Sequence, residues 1–299
     1  MNTHTFDVVV IGAGPGGYVT AIRTAQLGLR TAIIENDKLG GICLNWGCIP
    51  TKSMLVSADT YRHFKNAKNY GLSATNVSFD LESIIQRSRN IANKLSKGVK
   101  LLLNKNNVTI IGGYAKLVGP TKINIIKKDK KLDTVSAKNI VIATGAKPKN
   151  IPGIEPDGHL IWSYFEALKP NCLPKSILII GSGAIGIEFA SFFHALGVKI
   201  LIVEMLDRIL PNEDQEISTF ARKNFEKSGI QIFTSTKVKE IKKNSNDIVC
   251  LLESLDKRTQ KVRVDRIISA AGIKGNTEDI GIEKTKIKVA NGQIETDDF

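Results

Sequence analysis

The run Phe6-Asp7-Val8-Val9-Val10-Ile11-Gly12-Ala13-Gly14-Pro15-Gly16-Gly17 decides the fold. Its apolar half reads as a strand, and Ala21, Ile22, Ala25 and Leu27 follow the glycines at helical spacing, so the chain passes from strand through a tight turn into a helix. Gly12, Gly14 and Gly17 have the Gly-x-Gly-x-x-Gly spacing. The first makes the turn, the second leaves the backbone bare for a pyrophosphate, and the third lets the helix pack closely on the strand. The phosphates would rest on the helix N-terminus. The next strand, Thr31 to Ile34, ends at Glu35, 21 residues past Gly14 and placed to accept hydrogen bonds from a ribose.

The same pattern recurs downstream. Ser176 to Ile180 runs into Gly181-Ser182-Gly183-Ala184-Ile185-Gly186, then a helix, then the strand Lys199 to Val203 ending at Glu204, again 21 residues past the middle glycine. The repeat implies two dinucleotide-binding folds. A carboxylate at Glu204 bonds a ribose 2′-hydroxyl and repels a 2′-phosphate, which favours NAD over NADP. Arg208 is open to two readings, a contact to such a phosphate or a surface charge paired with Asp207 or Glu213.

Between the fingerprints, residues 80–105 read as a long helix with Ile84, Ile91, Leu95, Val99 and Leu102 on one face and Asp80 as N-cap. Val108 to Ile111, Ala115 to Val118 and Lys122 to Ile126, separated by Gly112-Gly113 and Gly119-Pro120, predict an antiparallel excursion that returns through Asn139 to Ile142. Ile232, Val238 to Ile241, Ile248 to Leu252 and Val262 to Val264 repeat it ahead of Arg266 to Ala270. The expected fold is α/β, two Rossmann-like domains with parallel sheets, each with an inserted antiparallel β-meander. The Pro-rich segment Lys147 to Pro156 reads as the connection between them.

Of the 299 residues, 42% are apolar and 24% charged, as in ordinary folded domains. Apolar stretches are too short to cross a bilayer, and the N-terminus lacks the basic and apolar regions of a signal peptide. A cytoplasmic protein is expected, with no membrane and no nucleic-acid partner. The net charge of +13 comes from dispersed lysines, such as Lys127, Lys128, Lys130, Lys131, Lys242 and Lys243, without interleaved aromatics. The cysteines, at 43, 48, 172 and 250, include only one close pair, which argues against a zinc site or a disulfide framework.

That pair, Cys43-Leu44-Asn45-Trp46-Gly47-Cys48, is five residues apart. On an ideal helix the Cα atoms would be roughly 8.7 Å apart, beyond the bridgeable limit of about 7 Å. A bond between them therefore requires a break in the helix, for which Gly47, Gly40 and Gly41 supply freedom and Pro50 an interruption. Lys52, four residues past Cys48, would favour a thiolate there if the chain is helical after Pro50. The alternative is two unlinked buried cysteines. Cys172 and Cys250 read as structural.

The segment Gly40-Gly41-Ile42-Cys43-Leu44-Asn45-Trp46-Gly47-Cys48-Ile49-Pro50-Thr51-Lys52, with both fingerprints, resembles the class I pyridine nucleotide-disulfide oxidoreductases over essentially the whole chain. Leu44 and Trp46 fit the dihydrolipoamide dehydrogenase branch better than the glutathione reductase branch. The resemblance implies a reversible Cys43–Cys48 disulfide, FAD on the first fold and NAD on the second. By position it implies FAD contacts from Gly12, Gly14, Gly17, Glu35, Lys52, Ala115 and Thr144, Gly145 and Ala146. NAD contacts are implied from Gly181, Gly183, Gly186, Glu188, Glu204, Val238 and Gly272, together with an ion pair between Lys52 and Glu188. Electrons would pass from a dithiol to the disulfide, then to the flavin and NAD, with Cys43 exchanging and Cys48 facing the flavin. The implied partner is a lipoyl-bearing acyltransferase of a 2-oxoacid dehydrogenase complex or a glycine cleavage carrier; full-length members of the family are homodimers, a state not expected of residues 1–299 alone.

The expected domains are 1–146 for FAD and the disulfide, 147–274 for NAD, and 275–299 as the start of a return segment. Relatives continue past Phe299 into a dimerisation domain whose partner copy supplies a histidine base with a glutamate five residues later. None of His4, His63, His159 and His194 has an acid at that offset. The expectation is therefore nucleotide binding with impaired turnover. A nucleotide-binding remnant, or glutathione or mercuric reductase chemistry on the same scaffold, are the alternatives.

Overall fold

The computed structural model describes residues 4–127, 129 and 132–298. Lys128, Lys130 and Lys131 of the basic stretch, and Phe299, lie outside the described residues. The elements in chain order are β1 (His4–Ile11), α1 (Pro15–Gln26), β2 (Thr31–Glu35), α2 (Gly41–Trp46), α3 (Cys48–Lys65), α4 (Leu81–Lys105), β3 (Thr109–Gly112), β4 (Tyr114–Gly119), β5 (Lys122–Ile126), β6 (Leu132–Ile142) and β7 (Ala146–Pro148). They continue with β8 (Ile161–Trp162), α5 (Tyr164–Ala167), β9 (Ser176–Ile180), α6 (Ala184–Ala195), β10 (Lys199–Val203), α7 (Gln215–Ser228), β11 (Gln231–Phe233), β12 (Thr236–Lys243), β13 (Ile248–Ser254), β14 (Thr259–Val264) and β15 (Arg266–Ser269). The chain divides into two units, one of Met1–Pro50, Arg89–Lys147 and Ile273–Phe299, the other of Thr51–Ser88 and Pro148–Gly272.

The first unit holds a six-stranded sheet in the order β3-β2-β1-β6-β5-β4. Its first four strands are parallel, and β5 and β4 join antiparallel. Strand β6 serves both arrangements, with Leu132–Ser136 paired to β5 and Val135–Ile142 to β1. The stretch Val108 to Ile111, expected to open the meander, is instead the parallel edge of the main sheet, beside β2. The long helix α4 precedes it, and a helical crossover returns the chain in the same direction, as a parallel pair requires. Alternation along β1 explains its unbroken apolar run: Val9 and Ile11 pack on one face with Ile34 and Leu117, Val8 and Val10 on the other with Ala21, Val99 and Leu103. Ile280 and Ile282 bring the last segment onto the first of these faces, where Leu117 N donates to Ile280 O at 2.8 Å.

The second unit has a five-stranded, fully parallel sheet in the order β11-β10-β9-β15-β8. The separate antiparallel sheet β12-β13-β14 buries Ile248, Cys250 and Leu252 against Leu178, Ile180, Leu201 and Val203. Ile232 thus lies on a parallel edge strand, again outside the meander. Ile154, from the Pro-rich stretch, is buried in this core. Among the described residues, no helix is long and apolar enough to cross a membrane.

Candidate redox and nucleotide sites

At the first glycine loop, Gly12 has φ +98°, and a Cβ there would lie 2.2 Å from Ala143 O. A Cβ on Gly17 would fall 1.8 Å from Gly12 O, so strand, loop and helix are in backbone contact. Gly14 is the N-cap of α1. Glu35, at the tip of β2, accepts from Ala13 N through Oε2 at 2.8 Å and from Asp37 N through Oε1 at 2.9 Å. Each carboxylate oxygen keeps a lone pair for a ribose hydroxyl.

A cavity of about 350 Å³ opens beside this loop, lined by Gly12, Glu35, Ala115 and Thr144 together with Tyr114, Lys147, Asn276, Glu278 and Asp279. Gly14, Gly17, Gly145 and Ala146 flank it in sequence without lining it. Thr144 Oγ1 donates to Asn276 O at 2.8 Å, and Asn276 Nδ2 returns a bond to Thr144 O at 2.9 Å. Lys147 and Lys274 each donate to Glu278 at 2.6 Å, and these ammonium groups hold its carboxyl down at about 2. Burial, reinforced by Asp279, pushes the Tyr114 phenol up.

The cysteine segment is built directly onto the same loop. Gly40 N donates to Ala13 O at 2.8 Å. Gly41 has φ +58°, and a Cβ there would lie 2.6 Å from Gly14 Cα, so α2 can dock only without a side chain at its first residue. Cys43 lies on α2, half-buried, and Cys48, exposed, opens α3. Gly47 breaks the helix between them with φ −148° and ψ −117°. The regular helix that would hold the sulfurs apart is therefore absent. Pro50 does not interrupt α3 as expected. It sits in the first turn, where its missing N–H has no helical carbonyl to serve.

Around the pair, buried Asn45 donates from Nδ2 to Leu39 O at 3.1 Å and Gly41 O at 2.9 Å. From α4, Ser96 Oγ donates to Leu39 O at 2.8 Å, and Arg89 Nη1 to Asn45 O at 2.7 Å. The Arg89 guanidinium also lies 4.9 Å from the Trp46 ring centroid. In the second unit, Arg87 Nη1 donates to Ser53 O at 2.9 Å, and Lys52 Nζ to Glu188 Oε1 at 2.7 Å. Lys52 is 60% exposed and Glu188 29%, so this pair is held in largely aqueous surroundings.

The second loop repeats the first. Gly181 has φ +99° with a would-be Cβ 2.4 Å from Ala270 O, and a Cβ on Gly186 would lie 2.0 Å from Gly181 O. Gly183, the N-cap of α6, has nothing within 4 Å of its missing Cβ, an open face where a phosphate could approach the backbone. Buried Glu204 accepts from Ser182 N and Ser182 Oγ, both at 2.8 Å, and from Leu206 N at 2.9 Å. Thr236 N donates to Glu204 O at 2.9 Å, and Val238, two residues on, sits at a β-bulge. Gly272, with φ +103°, follows Ala270 by two residues. Arg208 has its Nε sealed from solvent without a hydrogen-bond partner. Of the two remaining cysteines, Cys250 is a core residue, its thiol pushed up to about 12 by burial, whereas Cys172 is exposed and is no core residue.

Sequence reading missed Asn276, Tyr114, Lys147 and Arg89. Asn276 and Thr144 are separated by 132 residues, and Arg89 and Asn45 by 44, distances over which no local pattern operates. The seven-residue step from Arg89 to Ser96, two turns on one helix face, was the one available hint.

The family model for pyridine nucleotide-disulphide oxidoreductases matches residues 6–299. The chain is 47% identical over 99% of its length to a dihydrolipoyl dehydrogenase of Rhizobium etli, and 46% identical over 98% to that of Zymomonas mobilis. It spans 65% and 63% of the lengths of these relatives. Among solved structures, LpdA from Mycobacterium tuberculosis superposes with a TM-score of 0.87 at 25% identity, covering 97% of this chain and 63% of that one. The HOCl-induced flavoprotein disulfide reductase RclA from Escherichia coli, as a Cu(II) complex, gives 0.83 at 27% identity, covering 99% and 63%.

Proposed function

Because the chain belongs to the pyridine nucleotide-disulphide oxidoreductase family, we propose that it is a flavoprotein disulfide oxidoreductase of the dihydrolipoyl dehydrogenase type, with Cys43 and Cys48 as its redox pair. The observation that carries this reading is the docking of α2 on the first glycine loop, Gly41 against Gly14, which puts a cysteine-bearing helix on a nucleotide-binding turn. The residues fit the family's two cofactors: a bare glycine turn at a helix N-terminus and a carboxylate at the strand tip occur twice. Gly12, Gly14, Gly17, Glu35, Ala115, Thr144, Gly145 and Ala146 would hold FAD. Gly181, Gly183, Gly186, Glu188, Glu204, Val238 and Gly272 would hold NAD. Bound there, FAD supplies a two-electron acceptor and NAD a hydride acceptor.

The protein's own part is thiol exchange. One sulfur of a dihydrolipoyl group attacks Cys43 Sγ as a thiolate and breaks the Cys43–Cys48 bond, leaving Cys48 as the thiolate. The second substrate sulfur then closes on the first and releases Cys43. The substrate loses two electrons and two protons, and the cysteines receive the electrons. Gly47 permits this because it turns the chain between the helices that carry the two sulfurs. Domains of 1–146 for FAD and 147–274 for NAD, a cytoplasmic setting and lipoyl-bearing partners complete the reading.

A stoichiometric reaction tests it. The oxidised chain, mixed anaerobically with dihydrolipoamide, is expected to yield one lipoamide per chain and gain two alkylatable thiols in the 43–48 peptide. Cys43→Ser and Cys48→Ser are expected to yield none. Intact cysteines that never form the bond, or exchange with glutathione but not dihydrolipoamide, would overturn the dithiol assignment.

A further inference from the structure

Helix α2 is held at both ends by one face of α4. Ser96 bonds Leu39 O ahead of it, and Arg89 bonds Asn45 O at its close. Gly47 ends α2, and the last carbonyls of a helix are met by groups from outside it. Arg89 takes one of them and lays its guanidinium over Trp46. This arrangement is unfavourable by itself, because Arg89 Nε and Nη2 are buried without hydrogen-bond partners. An apolar residue would avoid that cost, so what the arginine gains is geometry: a planar fork fixes the carbonyl and the ring together.

We propose that Arg89 is a positioning residue for the cysteine pair, setting the direction in which the chain leaves α2 and so how readily Cys43 and Cys48 close into a disulfide. Cys43 lies two residues before the carbonyl it holds, and Cys48 three residues after. Loosening that turn lowers the effective concentration of one thiol at the other without touching either sulfur. The proposal rests on the reading of Cys43 and Cys48 as a redox pair.

The test equilibrates the full chain, with and without FAD, in mixtures of reduced and oxidised glutathione. The glutathione S–S bond breaks as the Cys43–Cys48 bond forms, and the two cysteine protons and electrons pass to two glutathione thiols. The 43–48 peptide is then quantified by alkylation and mass spectrometry. Arg89→Met, which preserves helix propensity, is expected to lower the equilibrium constant for protein disulfide formation at least tenfold, a shift of about 30 mV. Arg89→Lys keeps the cation but not the fork; a threefold fall is expected, and this variant decides the matter should Arg89→Met not fold. In a double-mutant cycle with Trp46→Phe the effects are expected to be non-additive. Lys94→Met removes an exposed charge from the same helix and is expected to stay within twofold of the parent. An unchanged constant in both Arg89 variants, or an equal fall in Lys94→Met, overturns the proposal. A parent chain that forms no disulfide at any glutathione ratio refutes the redox-pair reading instead.

Discussion

Thr144 and Asn276 bond each other twice, hydroxyl to carbonyl and amide to carbonyl, at 2.8 and 2.9 Å. The turn after β6, at the rim of the first cavity, is thereby tied to a segment 132 residues away. Asn276→Ala removes the Nδ2 bond and leaves Thr144 O to solvent. A loss of about 1–2 kcal/mol in urea unfolding is expected, with a weakened affinity for FAD measured by flavin fluorescence. An unchanged affinity would show that the tie serves the fold alone.

Gly41 tests the docking of the cysteine helix. Alanine there combines a left-handed φ of +58° with a Cβ 2.6 Å from Gly14 Cα. Destabilisation of at least about 2 kcal/mol is expected from the strain and the overlap. Gly28→Ala, also at positive φ but with open space around it, is expected to cost less. Comparing their urea midpoints separates backbone strain from lost docking.

Asp157 closes the turn before β8. Burial alone would raise its carboxyl, but Lys243 and the amides of Ile161, His159 and Leu160 outweigh burial and hold it far below the usual carboxylate range. A depressed carboxyl stabilises the fold above the unfolded value of about 3.9, and the contribution fades as pH falls through the folded value. Asp157→Asn is expected to cost about 2 kcal/mol at neutral pH, with the gap between variant and parent narrowing steadily below about pH 4. Chemical denaturation at a series of pH values checks this.

The thiols give the opposite sign. Cys250, raised to about 12 by burial, keeps its proton in the fold while an unfolded cysteine loses it above about 8.5. Stability is therefore expected to fall with rising pH beyond that point by up to about 1.4 kcal/mol per unit, and less in Cys250→Ala once its cavity cost is subtracted. In the reduced, folded chain iodoacetamide is expected to label exposed Cys48 and Cys172 first and Cys250 only on unfolding.

What the sequence disclosed was what is local. The glycine turns, the acids 21 residues on and the Asp80 cap, whose Oδ1 accepts from Glu82 N at 3.0 Å, are each defined by residues close to one another along the chain. Strands β3 and β11 were misassigned because a short apolar strand carries no mark of its partner's direction. Pro50 was misread because the same residue ends a helix from within and opens one from its first turn. Arg89 and Asn276 stayed hidden because each holds a backbone carbonyl, a group every residue possesses and no sequence pattern distinguishes.

Gly41 against Gly14 has one more consequence. Because two glycines, rather than two side chains, set the spacing between the thiols and the first loop, that spacing is insensitive to which side chains surround it. Residues around Cys48 can change while the docking of the cysteine-bearing helix on the loop stays where the backbone put it. Under the proposed redox reading, the dithiol admitted and the delivery of its electrons are therefore separable traits, and selection can act on the first without disturbing the second.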